Sequence, residues 1–188
     1  MPSRALRNWE TVRSVRLDDI RSAHASLRGP GSRSTIQQIN YAYALLLASE
    51  FQGFCRDLHS EAAQHIVATV TTQPQVAALL QDLLIDGRLL DRGNASPSSL
   101  GSDFGRLRLD LWPKLDAGRP STRARRVQLE HLNTWRNAIA HHDFRKLTRI
   151  ILRLAEVQSY RAACNALGTA LDAVVGAHLT LLVGSRGW

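Results

Sequence analysis

The sequence predicts an all-α fold, a bundle of about four long helices with short helices between them. Three observations carry that expectation. Apolar residues recur at spacings of three and four over long stretches, the period of one buried helical face. Turn-forming residues cluster at only a few places: GPG (29–31), RGNASPSSLGS (92–102) and DAGRPSTRAR (116–125). A chain of 188 residues with 44% hydrophobic content is enough for one ordinary core and short of two, so a single helical domain over 1–188 is expected.

The first helix is expected from Ala5 to about Leu27, rich in arginine and stopped by GPG. Ser34 or Thr35 is placed to cap the next, which runs from about Ile36 to Val70. Its apolar residues Ile39, Tyr43, Leu46, Leu47, Phe51, Phe54, Leu58 and Ala62 form one continuous stripe. That length makes it the backbone of the domain, with Gly53 a candidate kink. Thr71 to Gln73 break the pattern, and Pro74 suits a first helical turn. A shorter amphipathic helix is expected from Val76 to about Leu90. RGNASPSSLGS then reads as a mobile loop, and Phe104 to Leu111 as one or two helical turns, with Trp112-Pro113 restraining the chain after them. DAGRPSTRAR reads as a second loop, leading into a helix from about Arg123 to Ala140 whose buried stripe is Leu129, Leu132, Trp135 and Ile139. RKLTRIILRL (145–154) fits neither period well and reads as a helical turn or an extended piece. A last helix is expected from about Ala155 to Val183, with Val157, Tyr160, Ala163 or Cys164, Leu167, Leu171, Val174 or Val175, and Leu179 inward. Gly184 stops it, and Trp188 is a candidate to fold back.

Several classes of function are disfavoured. No run of 18 apolar residues occurs, so no segment is expected to cross a bilayer. The N-terminus lacks the apolar stretch of a secretory signal, and Glu10, Asp18 and Asp19 argue against a transit peptide. Cys55 and Cys164 sit among helix formers with no CxxC or zinc spacing, so both read as reduced core thiols of a cytoplasmic protein with no metal and no cofactor.

The net charge is +8, and arginine supplies nearly all of the positive side. Its planar fork suits phosphate, because it donates two parallel hydrogen bonds. The charge is also localised. Residues 119–153 carry Arg119, Arg123, Arg125, Arg126, Arg136, Arg145, Lys146, Arg149 and Arg153 against only Glu130 and Asp143. Arg123, Arg125, Arg126, Arg145 and Lys146 are therefore candidates to bind an RNA backbone, although Arg123 to Arg126 could equally be an exposed helix start.

Inside this basic segment lies WRNAIAHHDF (135–144), with Arg136, Asn137, His141, His142 and Asp143 crowded at a helix end. With Arg136 at zero on a helical wheel, Asn137 falls near about 100° and His141 near about 140°, while Leu132, Trp135 and Ile139 lie on the negative side. The three polar residues share one arc, and the apolar ones hold the helix down. Imidazole titrates near neutrality and can take or give a proton, and a guanidinium can hold a phosphate and the charge that develops on it. That pair could cleave RNA without a metal, because the ribose 2′-hydroxyl is the nucleophile. The same histidines could equally cap a helix end, where the macrodipole favours them.

R-N-x-I-A-H at Arg136–His141 resembles the signature of HEPN domains: an arginine, a polar residue directly after it, and a histidine with four to six residues between it and the arginine, here four. The helix YAYALLLASEFQGFCRDLH resembles the early HEPN helix, which often carries an acidic residue. AEVQSYRAACNALGTALDAVVGAHL is similar to the closing helix of the RiboL-PSP-HEPN branch. The resemblance covers about 36–183, leaving 1–33 as an N-terminal helical extension. It implies a HEPN-like bundle and a metal-independent endoribonuclease, used as a toxin or antiphage effector. It also implies a homodimer with a composite site, and an antitoxin or other regulatory protein as a possible partner. On that pattern His141 is the general acid or base, Arg136 the phosphate ligand, and Asn137 orients the phosphate or His141. Glu50, acidic within an apolar run, is a candidate partner for Arg136 or His141, or else reaches solvent. His142 could assist or merely cap. Asp143 stands where some toxins of the family carry a modified tyrosine, which argues against control by that modification. The alternative is a non-catalytic HEPN module that binds RNA, a nucleotide or a partner protein.

Overall fold

A computed structural model describes residues 1–27, 32–118, 121–184 and 188. It is an all-α bundle, with no strand among the described residues. GPG and Arg119 lie outside them.

The first helical run is made of three pieces: α1 (Arg4–Asn8), a wider π-helical turn (Trp9–Arg13) and α2 (Ser14–Ser26). The Ser3 hydroxyl caps it by accepting from Leu6 N, and Glu61 accepts from the backbone of Arg4 and Ala5. The π turn points Trp9 inward, where its ring meets Phe51 and Phe54 at 5.6 and 5.8 Å. It also sets Arg13 over the next helix.

That helix, α3 (Ser32–Val70), is 39 residues long, about 58 Å at 1.5 Å per residue. It starts earlier than the sequence suggests, so Ser34 and Thr35 lie inside it rather than at its cap. Tyr43, Leu47, Phe51, Phe54, Leu58 and Ala62 are all fully buried, as the stripe predicts. Ile39 and Leu46 sit at its margin, half-buried. The helix is unbroken through Gly53, the candidate kink. The glycine serves a different purpose. A Cβ there would come within 2.5 Å of Arg13 Nη1, so its absence lets the guanidinium cross the helix.

α4 (Pro74–Ile85) begins at Pro74 as expected but ends before Leu90. Gly87 turns the chain in the left-handed region (φ 78°), and Leu89–Asp91 form a single 3-10 turn. The expected mobile loop is largely a helix, α5 (Pro97–Arg106). Ser96 caps it by accepting from Ser99 N, and Pro97 fills the first position, which needs no donor. Phe104 lies within α5 rather than starting a new element. Trp112 and Pro113 fall in the first turn of α6 (Leu111–Gly118).

α7 (Thr122–Ala140) and α8 (Leu154–Val183) match their expected ranges to within a residue. Gly184 ends α8 in the left-handed conformation, at φ 68°. Trp188 does fold back: a Cβ on Gly176 would lie 3.0 Å from its Nε1. α3, α7 and α8 pack on one another and enclose the core. By length and composition α8 is apolar enough to cross a membrane, although polar residues interrupt it throughout. Here its stripe from Val157 to Leu179 faces α3 and α7, and its buried Asp172 accepts from Ser3 N.

Candidate functional site

The last turn of α7 is fixed from below by aromatic packing. Trp135 is buried, 6.1 Å from Tyr41 of α3, and Tyr41 stacks in turn on Phe144 at 5.7 Å. Leu132 is fully buried beneath the same face, and Ile139 packs at its edge. The segment 141–153 is neither helix nor strand. It is a series of turns held to α3 by Tyr41 Oη, which donates to Ile150 O, and by Asn40 Nδ2, which donates to Leu152 O.

The helix ends in a Schellman cap. Asp143 N donates to Ala138 O and His142 N to Ile139 O, with His141 at the cap position. His142 stands where such caps usually carry glycine, and its φ is 50°. This sharp reversal brings Asp143 back beside His141. The Asp143 carboxylate is gripped by Arg145 through Nε (2.8 Å) and Nη2 (2.9 Å). Those bonds hold it below the usual carboxylate range, helped by the charges of Lys146 and His141.

Thr134, Asn137, Ala138, His141, Asp143 and Lys146 line one open groove of about 400 Å³. Thr134 and Lys146 also line a second groove of about 330 Å³, which continues to His131, Arg149, Glu156 and Tyr160. The two form one path across the end of α7. Burial, then the Glu156 charge, pushes the Tyr160 hydroxyl up, so it stays protonated at its floor.

Of the residues singled out from the sequence, Asn137, His141 and Lys146 meet in the first groove. Asn137 and His141 are joined through the backbone, His141 N donating to Asn137 O (3.0 Å). Arg136 is close by but does not line the groove, and its Nη1 donates to Asn137 Oδ1 (3.1 Å). Arg145 is spent on Asp143, although it remains exposed. Arg123, Arg125 and Arg126 are at the other end of the helix, with Arg126 roughly 22 Å from His141 along the axis. Arg126 also lies over the Trp112 ring and pairs with Asp116. That run is a helix start rather than part of this groove.

Glu50 is buried, but it bonds to neither Arg136 nor His141. Arg13 Nη1 and Arg16 Nη1 occupy its two oxygens at 2.5 and 3.0 Å, and Arg13 also holds Asp57 at 2.8 Å. The need for a partner was legible; the partners come from the N-terminal extension. Sequence reasoning missed Thr134 and Asn94. Thr134 was findable, since it lies three before Asn137 and seven before His141 on one face. Asn94 donates to Asn137 Oδ1 from a loop 43 residues away, and no local pattern marks it.

Among the described residues, no group of three or more His, Cys, Asp or Glu stands where it could hold a metal ion. No family model matches the chain, and comparison with curated proteins and with solved structures gives no match.

Proposed function

We propose that the chain is a metal-independent endoribonuclease of the HEPN kind, acting on cytoplasmic RNA as a toxin or antiphage effector. The observation that supports this reading is the open groove in which His141, Asn137 and Lys146 converge, with the Asp143 carboxylate beside the imidazole. A neutral His141 takes the proton of the ribose 2′-hydroxyl as O2′ attacks phosphorus, and Asp143 stabilises the imidazolium that results. Lys146 and the Asn137 amide hold the non-bridging oxygens as negative charge grows on them. The P–O5′ bond breaks, and a second imidazolium supplies the proton that O5′ takes. In a homodimer with facing α7 ends, His141 of the other copy is that acid, and Arg136 at the rim clamps the phosphate across the seam. The products are a 2′,3′-cyclic phosphate and a free 5′-hydroxyl. DNA, which lacks the nucleophile, is spared. An antitoxin or other regulatory protein would then have to cover this groove or block the dimer.

One observation favours the alternative of a module that binds RNA without cutting it: Arg136 is turned toward Asn137, outside the groove. Incubation of the pure protein with single-stranded RNA in EDTA, beside His141→Ala and Arg136→Ala, separates the two. Cleavage with cyclic-phosphate ends that both variants lose supports the enzyme. Tight RNA binding without cleavage from pH 5 to 9 supports the module.

A further inference from the structure

The loop before α5 is held more firmly than a connection needs. Arg88, almost fully buried, donates to both oxygens of Asp91 (3.1 and 3.1 Å), to Ser60 Oγ (2.8 Å) and to Arg56 O (3.3 Å). The buried Asp103 carboxylate accepts from Leu89 N (2.9 Å) and Leu90 N (2.8 Å). Gln52 Nε2 donates to Leu90 O (2.7 Å), and Asn133 Nδ2 donates to Ala95 O (3.0 Å). Four side chains from three directions thus fix the loop without any help from the Asn94 side chain.

Asn94 spends its amide elsewhere. Its Nδ2 donates to Asn137 Oδ1 at 2.7 Å, and Arg136 Nη1 donates to the same oxygen at 3.1 Å. This settles which way both amides point. A guanidinium only donates, so the atom of Asn137 facing Arg136 is its oxygen, and the atom Asn94 presents to that oxygen is its nitrogen. Both lone pairs of Asn137 Oδ1 are then filled. Asn137 lines the groove, whereas neither residue that donates to its Oδ1 does, which leaves the Nδ2 donors for the groove side. Among the described residues those donors have no acceptor.

We propose that Asn94 is a positioning residue for the groove: it locks the Asn137 amide against a flip, so that Asn137 presents two N–H donors where a phosphoryl oxygen is held. This rests on the endoribonuclease reading for its consequence, but not for its geometry. In a flipped amide the carbonyl oxygen would face the phosphate and repel it. The clamp beneath the loop gives Asn94 the rigidity that such a lock requires.

The test uses the full chain, wild type beside Asn94→Ala, Asn94→Asp, Asn137→Ala and the Asn94→Ala/Asn137→Ala double variant. Asn94→Asp keeps the size and turn preference but offers only acceptors, so a role in shaping the loop survives it and the lock does not. The expected result is that kcat on single-stranded RNA falls roughly three- to tenfold in both Asn94 variants, the range one hydrogen bond supplies. In the Asn137→Ala background the Asn94 change should add nothing, with melting temperatures close to wild type. The NMR side-chain amide pair of Asn137, assigned by its loss in Asn137→Ala, should shift in both Asn94 variants. An Asn94→Asp protein with wild-type kcat, or additive effects in the double variant, overturns the proposal. If the wild type cleaves no RNA, the endoribonuclease reading falls and the amide signal decides alone: a shift in both variants sustains the lock, and an unmoved signal overturns it.

Discussion

His59 and His141 are the same residue type in opposite surroundings. His59 is fully buried against the edge of Phe104, with both ring nitrogens engaged: Nε2 donates to Asp103 O, and Nδ1 accepts from Arg88. Burial, and then the Arg88 charge, pushes its pKa down to about 4, so it stays neutral near pH 7. His141 sits at a helix cap on the surface, lining an open groove beside a carboxylate. One imidazole is committed to holding a loop, and the other is exposed in a groove. The first cluster should therefore answer to stability measurements and the second to activity.

The largest expected effect lies at the groove. His141→Ala should lower RNA cleavage by up to about 10⁴-fold, near 5 kcal/mol of barrier, while leaving the unfolding midpoint almost unchanged. An equal loss of stability and activity would erase the distinction between the two regions. Next comes Asp103→Ala. It strips acceptors from two backbone donors, the part-buried Leu89 N and the buried Leu90 N. Two hydrogen bonds to a buried charge are worth about 4 kcal/mol together. Urea denaturation reads that loss, and a cost under 1 kcal/mol would mean that water replaces the carboxylate.

The contrast between the regions also accounts for what the sequence revealed. α3, α7 and α8 were legible because a long helix repeats its buried stripe many times, and each repeat reinforces the last. α5 was obscured because serine, proline and glycine suggest a loop, although Ser96-Pro97 is also a cap and a first turn. The groove was half legible: Asn137 and His141 are four apart on one helix, and the wheel places them together. Its supports were not. Asn94 reaches Asn137, and Arg13 reaches Glu50, only because the chain folds back over many residues. Gly53 likewise looked like a weak point in a helix when it is the gap through which Arg13 passes.

pH sharpens the comparison. His59 has its pKa lowered on folding from about 6.5 to about 4. Between those values the unfolded chain binds a proton that the folded protein refuses. The contribution of His59 is thus fully present above about pH 6.5 and is lost as pH falls toward 4. The loss is on the order of 3 kcal/mol for a shift of that size. Urea midpoints measured at pH 7, 6, 5 and 4.5 should fall more steeply for the wild type than for His59→Gln. Matching slopes would mean that the carboxylates alone drive acid unfolding.

The smallest effect concerns the second histidine of the pair. His142 holds the left-handed position of the α7 cap at φ 50°, where a Cβ crowds the following carbonyl and glycine does not. His142→Gly should relieve that strain. Set against the greater freedom of glycine in the unfolded chain, the net gain is about 1 kcal/mol. For a chain of this length that raises the melting temperature by about 2–4 °C. His142→Ala keeps the Cβ and should gain nothing. If His142→Gly melts lower than the wild type, the imidazole makes contacts worth more than the strain. A His142→Gly protein that melts higher but cleaves less RNA would instead place His142 with His141, as strain retained for function.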